Sequence, residues 1–326
     1  MNMLHSRVEL APADERILLT AATSAPSLHN SQPWSFEIDD GHLRVYADPS
    51  RQLSRSDPAG RSLLISCGAA LFNVRVAAEH LGYHPRVRLL PDPDDPTLVA
   101  TVSLGSRQPH VGGLARFYEA VSERRTNRLP FHNRSIPHSA LADMGEAARA
   151  ENAQLRIYDD PDEVSRIVAL LHVADLAEGH DPAATVERHG WIGGPHRDDG
   201  IPVRSLGPRP DAPTTPFRDL GLGVGARRDD ARFEKTPTVA VLSTRHDERV
   251  DWLRAGQALQ RVLLEGTRAG LAASFLNQPL EDETLRGLVR SPLTGVGYSH
   301  MIMRIGYGDP VPPTPRRTLS EVRRDR

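Results

Sequence analysis

An internal repeat is the feature that most constrains how this chain can fold. Residues 67–82 (CGAALFNVRVAAEHLG) and 255–270 (AGQALQRVLLEGTRAG) share a glycine in second place, apolar residues at helical spacing and a glycine in last place. The spacing predicts two amphipathic helices, each followed by a glycine suited to the C′ position. Short β-type runs follow each helix, at 87–90 and 99–104, then at 272–276 and 301–305. Two unrelated buried helices can look alike, but the shared order of helix, glycine and strand favours a duplicated α+β chain.

Composition excludes several classes of protein. The chain has 326 residues, enough to bury a large core, and its net charge of -2 gives no overall positive field for nucleic acid or an anionic membrane. Its one cysteine, Cys67, cannot form an intrachain disulfide, and its apolar neighbours predict a buried structural thiol. No apolar run approaches membrane-spanning length, and no signal-peptide pattern is present. We therefore expect a cytoplasmic protein without nucleic-acid or membrane partners.

A polar loop with two prolines lies at residues 25–34 (APSLHNSQPW). It follows a helical run at 16–23 and precedes two strands, 35–38 and 42–46, joined by an Asp-Asp-Gly turn. Pro26 ends the helix, because proline disfavours the α conformation of the preceding residue. The loop carries side chains able to form hydrogen bonds with the polar edge of a ligand ring, those of Ser27, Asn30 and Gln32. A simple capping turn is the alternative, but a rigid polar loop is well suited to ligand recognition.

A basic motif follows a second helical run at 114–122. Residues 124–128 read RRTNR, and a second basic pair, Arg316 and Arg317, lies near the C-terminus after a strand and a proline-rich crossing. Basic runs are usually solvated surface. Arginine nevertheless presents a planar, bidentate donor fork to phosphate, so this motif is also a candidate phosphate site.

The loop and the basic motif together resemble the nitroreductase family of FMN flavoproteins. The 25–34 loop is similar to that family's signature, and the RRTNR motif is similar to the basic motif that opens a family member. A histidine inside the loop, at position 29, resembles the Acg-like subgroup of actinobacteria. The resemblance implies an α+β, nitroreductase-like fold that binds FMN. It assigns the flavin phosphate to Arg124, Arg125, Arg128 and Arg317, with a hydroxyl from Thr126. It also assigns ring contacts to Pro26, Ser27 and Asn30, and places Asn277 and Gln278 near flavin N5.

The motifs are divided unequally between two predicted halves, 1–108 and 109–326. The first half has the loop, but its N-terminal residues 5–8 (HSRV) lack paired arginines. The second half has the basic motif, but its loop position, 150–155 (AENAQL), lacks proline, serine and tryptophan. Family members are homodimers with two sites, so this division predicts a monomer that acts as an intramolecular dimer around one FMN.

Residues 191–232 do not fit the repeat and are predicted to be an insertion. They contain 6 prolines and 7 glycines, a composition typical of a lid, a binding loop or disorder. Apolar residues spaced through the segment favour a packed segment over a disordered one, and the resemblance to the Acg-like subgroup implies a lid that covers the flavin. The chain contains neither a GxGxxG fingerprint nor a P-loop, and its histidines do not have the spacing of a metal site.

Three functions remain open. The leading one is an FMN-dependent oxidoreductase that transfers hydride between NAD(P)H and a small organic acceptor, with no catalytic side chain expected beyond the flavin. The first alternative is a protein that sequesters FMN under the lid with little turnover. The second is a flavin-dependent dehydrogenase or oxidase that tailors a metabolite. Fold and cofactor do not fix the reaction.

Overall fold

The computed structural model describes residues 10–107, 113–193, 197–211, 217–221, 224–225, 227–234, 237–293 and 297–324, without the side chains of 290–293. The helices are α1 (Pro12–Thr23), α2 (Arg61–His80), α3 (Tyr118–Glu123), α4 (His138–Arg149), α5 (Pro161–Gly179), α6 (Pro182–Gly190), α7 (Arg249–Arg268), α8 (Gln278–Glu281), α9 (Glu283–Leu293) and α10 (Leu319–Val322). The strands are β1 (Trp34–Asp39), β2 (His42–Ala47), β3 (Arg86–Leu89), β4 (Leu98–Ser103), β5 (Gln154–Tyr158), β6 (Ile192–Gly193), β7 (Ile201–Pro202), β8 (Arg209–Pro210), β9 (Asp230–Ala231), β10 (Thr238–Thr244), β11 (Ala272–Phe275) and β12 (Tyr298–Gly306). Residues 5–8 lie outside the described ranges.

Two four-stranded antiparallel sheets form the framework, and they have the same strand order. The first runs β1-β2-β4-β3 and the second runs β5-β10-β12-β11. In each sheet the long helix, α2 or α7, connects the second strand in sequence to the third. This mixture of helices and antiparallel sheet confirms the predicted α+β class, and the matching order agrees with the predicted duplication.

The two repeat helices pack against each other between the sheets. Both predicted helices are confirmed, but each begins six residues earlier than the repeat suggests, α2 at Arg61 and α7 at Arg249. Gly68 and Gly256, which the repeat aligns, lie where the helices cross. Helix α2 is long and apolar enough to cross a membrane, yet 83% of its apolar window is buried inside the protein. Its hydrophobicity is therefore explained by its position in the core.

Both helices end in the same way, as the repeat predicts. Gly82 and Gly270 have left-handed backbone conformations, with φ of 85° and 73°. The amide of Tyr83 donates to the oxygen of Ala78, and the amide of Leu271 donates to the oxygen of Gly266. This is the hydrogen bond of a Schellman cap, and a glycine at C′ adopts the required conformation without steric cost.

The halves differ most in the connection between their first two strands. A turn at residues 40–41 joins β1 to β2, whereas residues 159–237 join β5 to β10. This long connection includes α5 and α6, which the sequence analysis did not predict, and the 191–232 segment forms its remainder. Ile192, Ile201, Leu206 and Leu220 form a small buried cluster of their own, so the described part of the segment is packed.

The C-terminal segment returns from the second sheet to the first. Arg323 forms a parallel bridge with Phe36, and the amide of Arg324 donates to the oxygen of Phe36 at 2.7 Å. The returning chain therefore carries residues 312–317 past the 25–34 loop. This crossing brings the C-terminal arginine pair beside the loop.

Candidate functional site

One cavity lies where the loop, both long helices, the basic motif and the C-terminal crossing meet. Eight of the ten predicted site residues line it: Pro26, Ser27, Asn30, Arg124, Arg125, Thr126, Arg128 and Asn277. Residues from α2 (Ser62, Ile65, Ser66) and α7 (Leu259) complete the wall between them. The cavity therefore draws on both predicted halves of the chain.

The 25–34 loop adopts an uncommon backbone conformation. His29, Asn30 and Gln32 all have positive φ, at 47°, 58° and 49°. The Ser27 hydroxyl accepts the amide of Gln32 at 2.9 Å, which holds the loop closed on itself. Left-handed conformations of non-glycine residues are unfavourable and cluster at ligand-binding sites. The prolines end the helix and set the course of the loop, and this local geometry brings residues 26–30 to the wall of the cavity.

Three arginines meet at one end of the cavity; we call Arg124, Arg125 and Arg316 the arginine cluster. Arg124 is 4% exposed, and its Nε and Nη1 have no hydrogen-bond partner among the described residues. The Nε of Arg316 is likewise buried without a partner, whereas its Nη1 donates to Asn30 Oδ1 at 3.0 Å. Burial, together with the neighbouring guanidiniums, lowers the pKa of Arg124 to about 9 and that of Arg316 to about 10.

No carboxylate is among the residues that line this cavity in the described part of the chain. Five arginines and one histidine line it, and within the arginine cluster the Nε and Nη1 of Arg124 and the Nε of Arg316 are buried without a hydrogen-bond partner among the described residues. Buried cations without partners are costly, since each has lost its water and gained no counter-charge. An anionic ligand, above all a phosphate, would compensate them.

Arg128 lies apart from the arginine cluster. It donates to the oxygen of Ser205 at 2.9 Å, and its charge acts on Arg218 and His29. Burial and the charge of Arg218 lower its pKa to about 10. The basic motif therefore distributes its charges over two parts of one cavity.

Two predicted residues do not line the cavity. Gln278 is buried and donates from Nε2 to Asp175 Oδ1 at 3.2 Å, although its neighbour Asn277 does line the cavity. The Arg317 side chain donates to the backbone oxygens of Gln32, Trp34 and Glu321, at 2.8–3.2 Å. Arg316 occupies the cavity position that the sequence analysis gave to Arg317.

Part of the insertion forms a wall of the cavity. Ile201, Arg218 and Leu220 line it, all from the 191–232 segment. Residues 198–200, which we call the insertion clamp, bind directly to the loop. Gln32 donates to the oxygen of Asp198 at 2.8 Å and Asn30 to the oxygen of Gly200 at 2.9 Å. Arg51 pairs with the Asp199 carboxylate.

Several lining residues were missed by the sequence analysis. Arg316 had a signal, since the basic pair at 316–317 was recognised, but the phosphate was assigned to Arg317 instead. Ser62 and Ser66 could have been found as the polar positions on an otherwise apolar stretch of α2. Arg218 had no comparable signal, because nothing in a Pro/Gly-rich segment indicates which of its arginines folds inward.

Comparison with known proteins gives the family. The chain is 35% identical over 316 residues to the Mycobacterium tuberculosis protein named "Putative NAD(P)H nitroreductase Rv3131", covering 94% of this chain and 90% of that one. It is 30% identical over 306 residues to "Putative NAD(P)H nitroreductase acg" of the same organism, covering 92% of each. No family model matches. The chain belongs to the nitroreductase family, with Acg among its relatives.

Solved nitroreductase structures are similar at low sequence identity. A Bacteroides fragilis nitroreductase with bound FMN is 14% identical, with a TM-score of 0.38, over 62% of this chain and 93% of that one. The FMN- and NADPH-dependent nitroreductase NfnB of a Sphigopyxis strain is 20% identical, with a TM-score of 0.39, over 63% of this chain and 96% of that one.

Proposed function

We propose that this member of the nitroreductase family binds one FMN in the central cavity, with its phosphate at the arginine cluster. The observation that carries the proposal is the set of buried, unpartnered N–H groups of Arg124 and Arg316 in a cavity wall without carboxylates. Arg125 and the hydroxyl of Thr126 lie in the same wall. A phosphate dianion would satisfy these donors and offset their charge. Pro26, Ser27 and Asn277 line the same cavity and are then available for the ring. Asn30 would lie beside the ring with its side-chain amide held by Arg316, Gly200 and Pro315.

We assign the phosphate to Arg316 in place of Arg317, and Arg128 to the ring side of the cavity. Arg317 uses its guanidinium to hold the backbone of the loop and of α10, so it supports the site indirectly. Gln278 is directed toward Asp175 and serves to position α8.

A single site per chain is supported by the second half's loop position. The connection between α1 and β1 spans residues 24–33, but the corresponding one between α4 and β5 spans only 150–153. Glu151, in that short connection, accepts from Arg75 of α2 at 2.6 Å and from Arg261 of α7 at 2.8 Å. This buried carboxylate ties the short connection to both long helices, so the second half has no counterpart of the polar loop there. The predicted halves, 1–108 and 109–326, would thus form an intramolecular dimer with one functional cavity.

The proposed reaction is FMN-dependent transfer of hydride from NAD(P)H to a small organic acceptor. Bound flavin supplies the redox chemistry, since its N5 accepts and donates hydride. The chain's own residues would bind the phosphate, orient the ring through the polar loop and exclude water with the insertion. The one cysteine is buried, as expected for a structural thiol in a reducing cytoplasm.

The experiment is anaerobic addition of NADH and of NADPH to FMN-loaded protein. Bleaching of the flavin absorbance on the second timescale or faster, followed by recovery when a nitroarene is added, is the expected result. Flavin that stays oxidised with both nicotinamides would contradict the enzyme assignment.

One specific observation favours sequestration of FMN as the second candidate function. The insertion clamp is joined to the loop by three hydrogen bonds and to Arg51 by the Asp199 ion pair, so this side of the cavity wall is fastened to the rest of the chain. In that case the flavin would bind tightly and remain oxidised. The same bleaching experiment separates the two candidates.

A further inference from the structure

Unpartnered polar groups also occur at the end of the cavity beneath the insertion, away from the arginine cluster. We call the part of the wall formed by His29, Ile201, Arg218 and Leu220 the insertion subsite. Two of its members are apolar and two can donate hydrogen bonds. The inference below rests on the proposed function, because it takes the FMN phosphate to be at the arginine cluster.

His29 is a buried imidazole without a partner. It is 5% exposed, and neither ring nitrogen has a hydrogen bond among the described residues. Its left-handed backbone adds a further unfavourable conformation. A buried polar group normally finds a partner, and one that has none in a cavity wall is a candidate contact for a ligand.

Arg218 is fixed in place, and its Nε is left without a partner in the described part of the chain. Both terminal nitrogens pair with the Glu281 carboxylate, and Nη2 also lies 3.4 Å from Glu178. Nε is buried and has no partner among the described residues. The two glutamates therefore orient the guanidinium, and the remaining N–H is available to the cavity that Arg218 lines.

The charges that act most on His29 are guanidiniums. The pKa of His29 is held well below its usual value by burial and, to a smaller extent, by the positive charges of Arg218, Arg128 and Arg188. The ring is therefore neutral near pH 7. Glu281, Glu178 and Asp175 offset the charge of Arg218, whereas Arg128 has no carboxylate partner among the described residues, and the charges that act most on His29 itself are all positive. The local potential therefore favours an anion over a neutral group.

We propose that the insertion subsite binds the carboxylate of the electron acceptor, and that the natural acceptor is a small organic acid with an apolar body, for which benzoate serves as the probe. The Nε–H of Arg218 and a ring N–H of His29 would donate to the carboxylate, while Ile201 and Leu220 would contact the apolar body. Because Ile201, Arg218 and Leu220 belong to the insertion, this segment selects the acceptor as well as covering the cavity.

The test compares benzoate with benzamide, which has the same shape and no charge. FMN-loaded protein is titrated with each, and binding is followed by the change in the visible absorbance of the flavin, without turnover. Benzoate should bind at least about tenfold more tightly, since charge-assisted hydrogen bonds are about twice as strong as neutral ones.

Two variants and a control make the test specific. His29→Asn keeps a residue that tolerates the left-handed backbone, and Arg218→Lys keeps a charge for Glu281 but loses the planar fork. Each should reduce the preference for benzoate about fivefold or more. Arg209→Gln, in an exposed pair with Asp230 on the insertion, should keep the wild-type preference.

The outcomes separate the subsite from the proposed function. If FMN binds but benzoate and benzamide bind equally, or if both variants keep the wild-type preference, the subsite is overturned and the proposed function stands. If the chain binds no FMN, the proposed function fails and the subsite fails with it. Should Arg218→Lys not fold, the His29→Asn result decides.

Discussion

Gly68 and Gly256 lie in contact where α2 crosses α7. A Cβ built on Gly68 would be 3.1 Å from the Cα of Gly256 and 2.3 Å from the backbone oxygen of Leu253. A Cβ on Gly256 would be 2.0 Å from the backbone oxygen of Ile65. Each helix therefore needs its glycine so that the other can approach, and the two glycines occupy the same place in the repeat. The close crossing brings Ile65 and Leu259 into the wall of one cavity.

Gly256→Ala should destabilise the protein strongly. The new methyl would meet backbone on the opposite helix, and overpacking of this kind costs about 1–3 kcal/mol or more. Gly287→Ala in α9 is the matched control, because no atom lies within 4 Å of the added Cβ. Alanine there should raise stability by about 0.5–1 kcal/mol, as in any open helical position. Urea unfolding gives the free energy of unfolding of each variant. Equal values for the two variants would contradict the close contact of α2 with α7 at these glycines.

The adjacent residues Arg316 and Arg317 give a second prediction. Arg316→Gln should weaken FMN binding about tenfold or more, since a hydrogen bond to a charged group contributes about 1.5–3 kcal/mol. Arg317→Gln should weaken it less, because that guanidinium binds backbone oxygens outside the cavity wall. Titration of each apoprotein variant with FMN, monitored by flavin fluorescence, gives the two dissociation constants to be compared. A larger loss for Arg317→Gln would restore the assignment made from the sequence.

The insertion clamp gives a third prediction. Asp199→Asn removes the ion pair with Arg51, so residues 198–200 should open more often. Quenching of bound-flavin fluorescence by iodide should then increase severalfold. Asp230→Asn, which removes a charge from the exposed pair with Arg209, is the control. Iodide should quench its bound flavin as much as in the wild-type protein. A clamp variant that binds FMN and shows wild-type quenching would mean that this segment does not limit access.

The buried histidines predict how stability depends on pH. The pKa of His29 is held well below 6.5, chiefly by burial, and burial likewise lowers that of His300 to about 3. Below about pH 6.5 these two imidazoles therefore bind protons in the unfolded chain but stay neutral in the folded chain. The free energy of unfolding then falls as pH falls. His29→Asn should reduce the slope of the unfolding free energy by about 1 kcal/mol per pH unit just below pH 6, rising toward about 1.4 near pH 5. An equal reduction in His42→Asn, at an exposed position, would contradict this.

The sequence predicted the framework well because local rules decide it. Gly82 and Gly270 end their helices by conformational necessity, and apolar spacing identified α2 and α7. The loop and the basic motif were recognised because their chemistry is contiguous in sequence. Local pattern could not decide between Arg316 and Arg317, since the path of the crossing chain determines which guanidinium turns inward.

The cavity's far end could not be predicted for a related reason. Arg218 lies in a segment without periodicity, and its position depends on Glu281, 63 residues away, and on Glu178, 40 residues away. Such long-range ion pairs leave no pattern in the sequence. The role of His29 was also hidden, because its unpartnered ring becomes visible only when the insertion closes the wall beside it.

Native mass spectrometry of the FMN-reconstituted protein gives both the number of chains and the number of flavins in one spectrum. We expect a monomer that carries one FMN, held by the arginine cluster between the two halves. A chain that binds two FMN molecules, or binds none, would contradict this expectation, and so would FMN that appears only on a dimer.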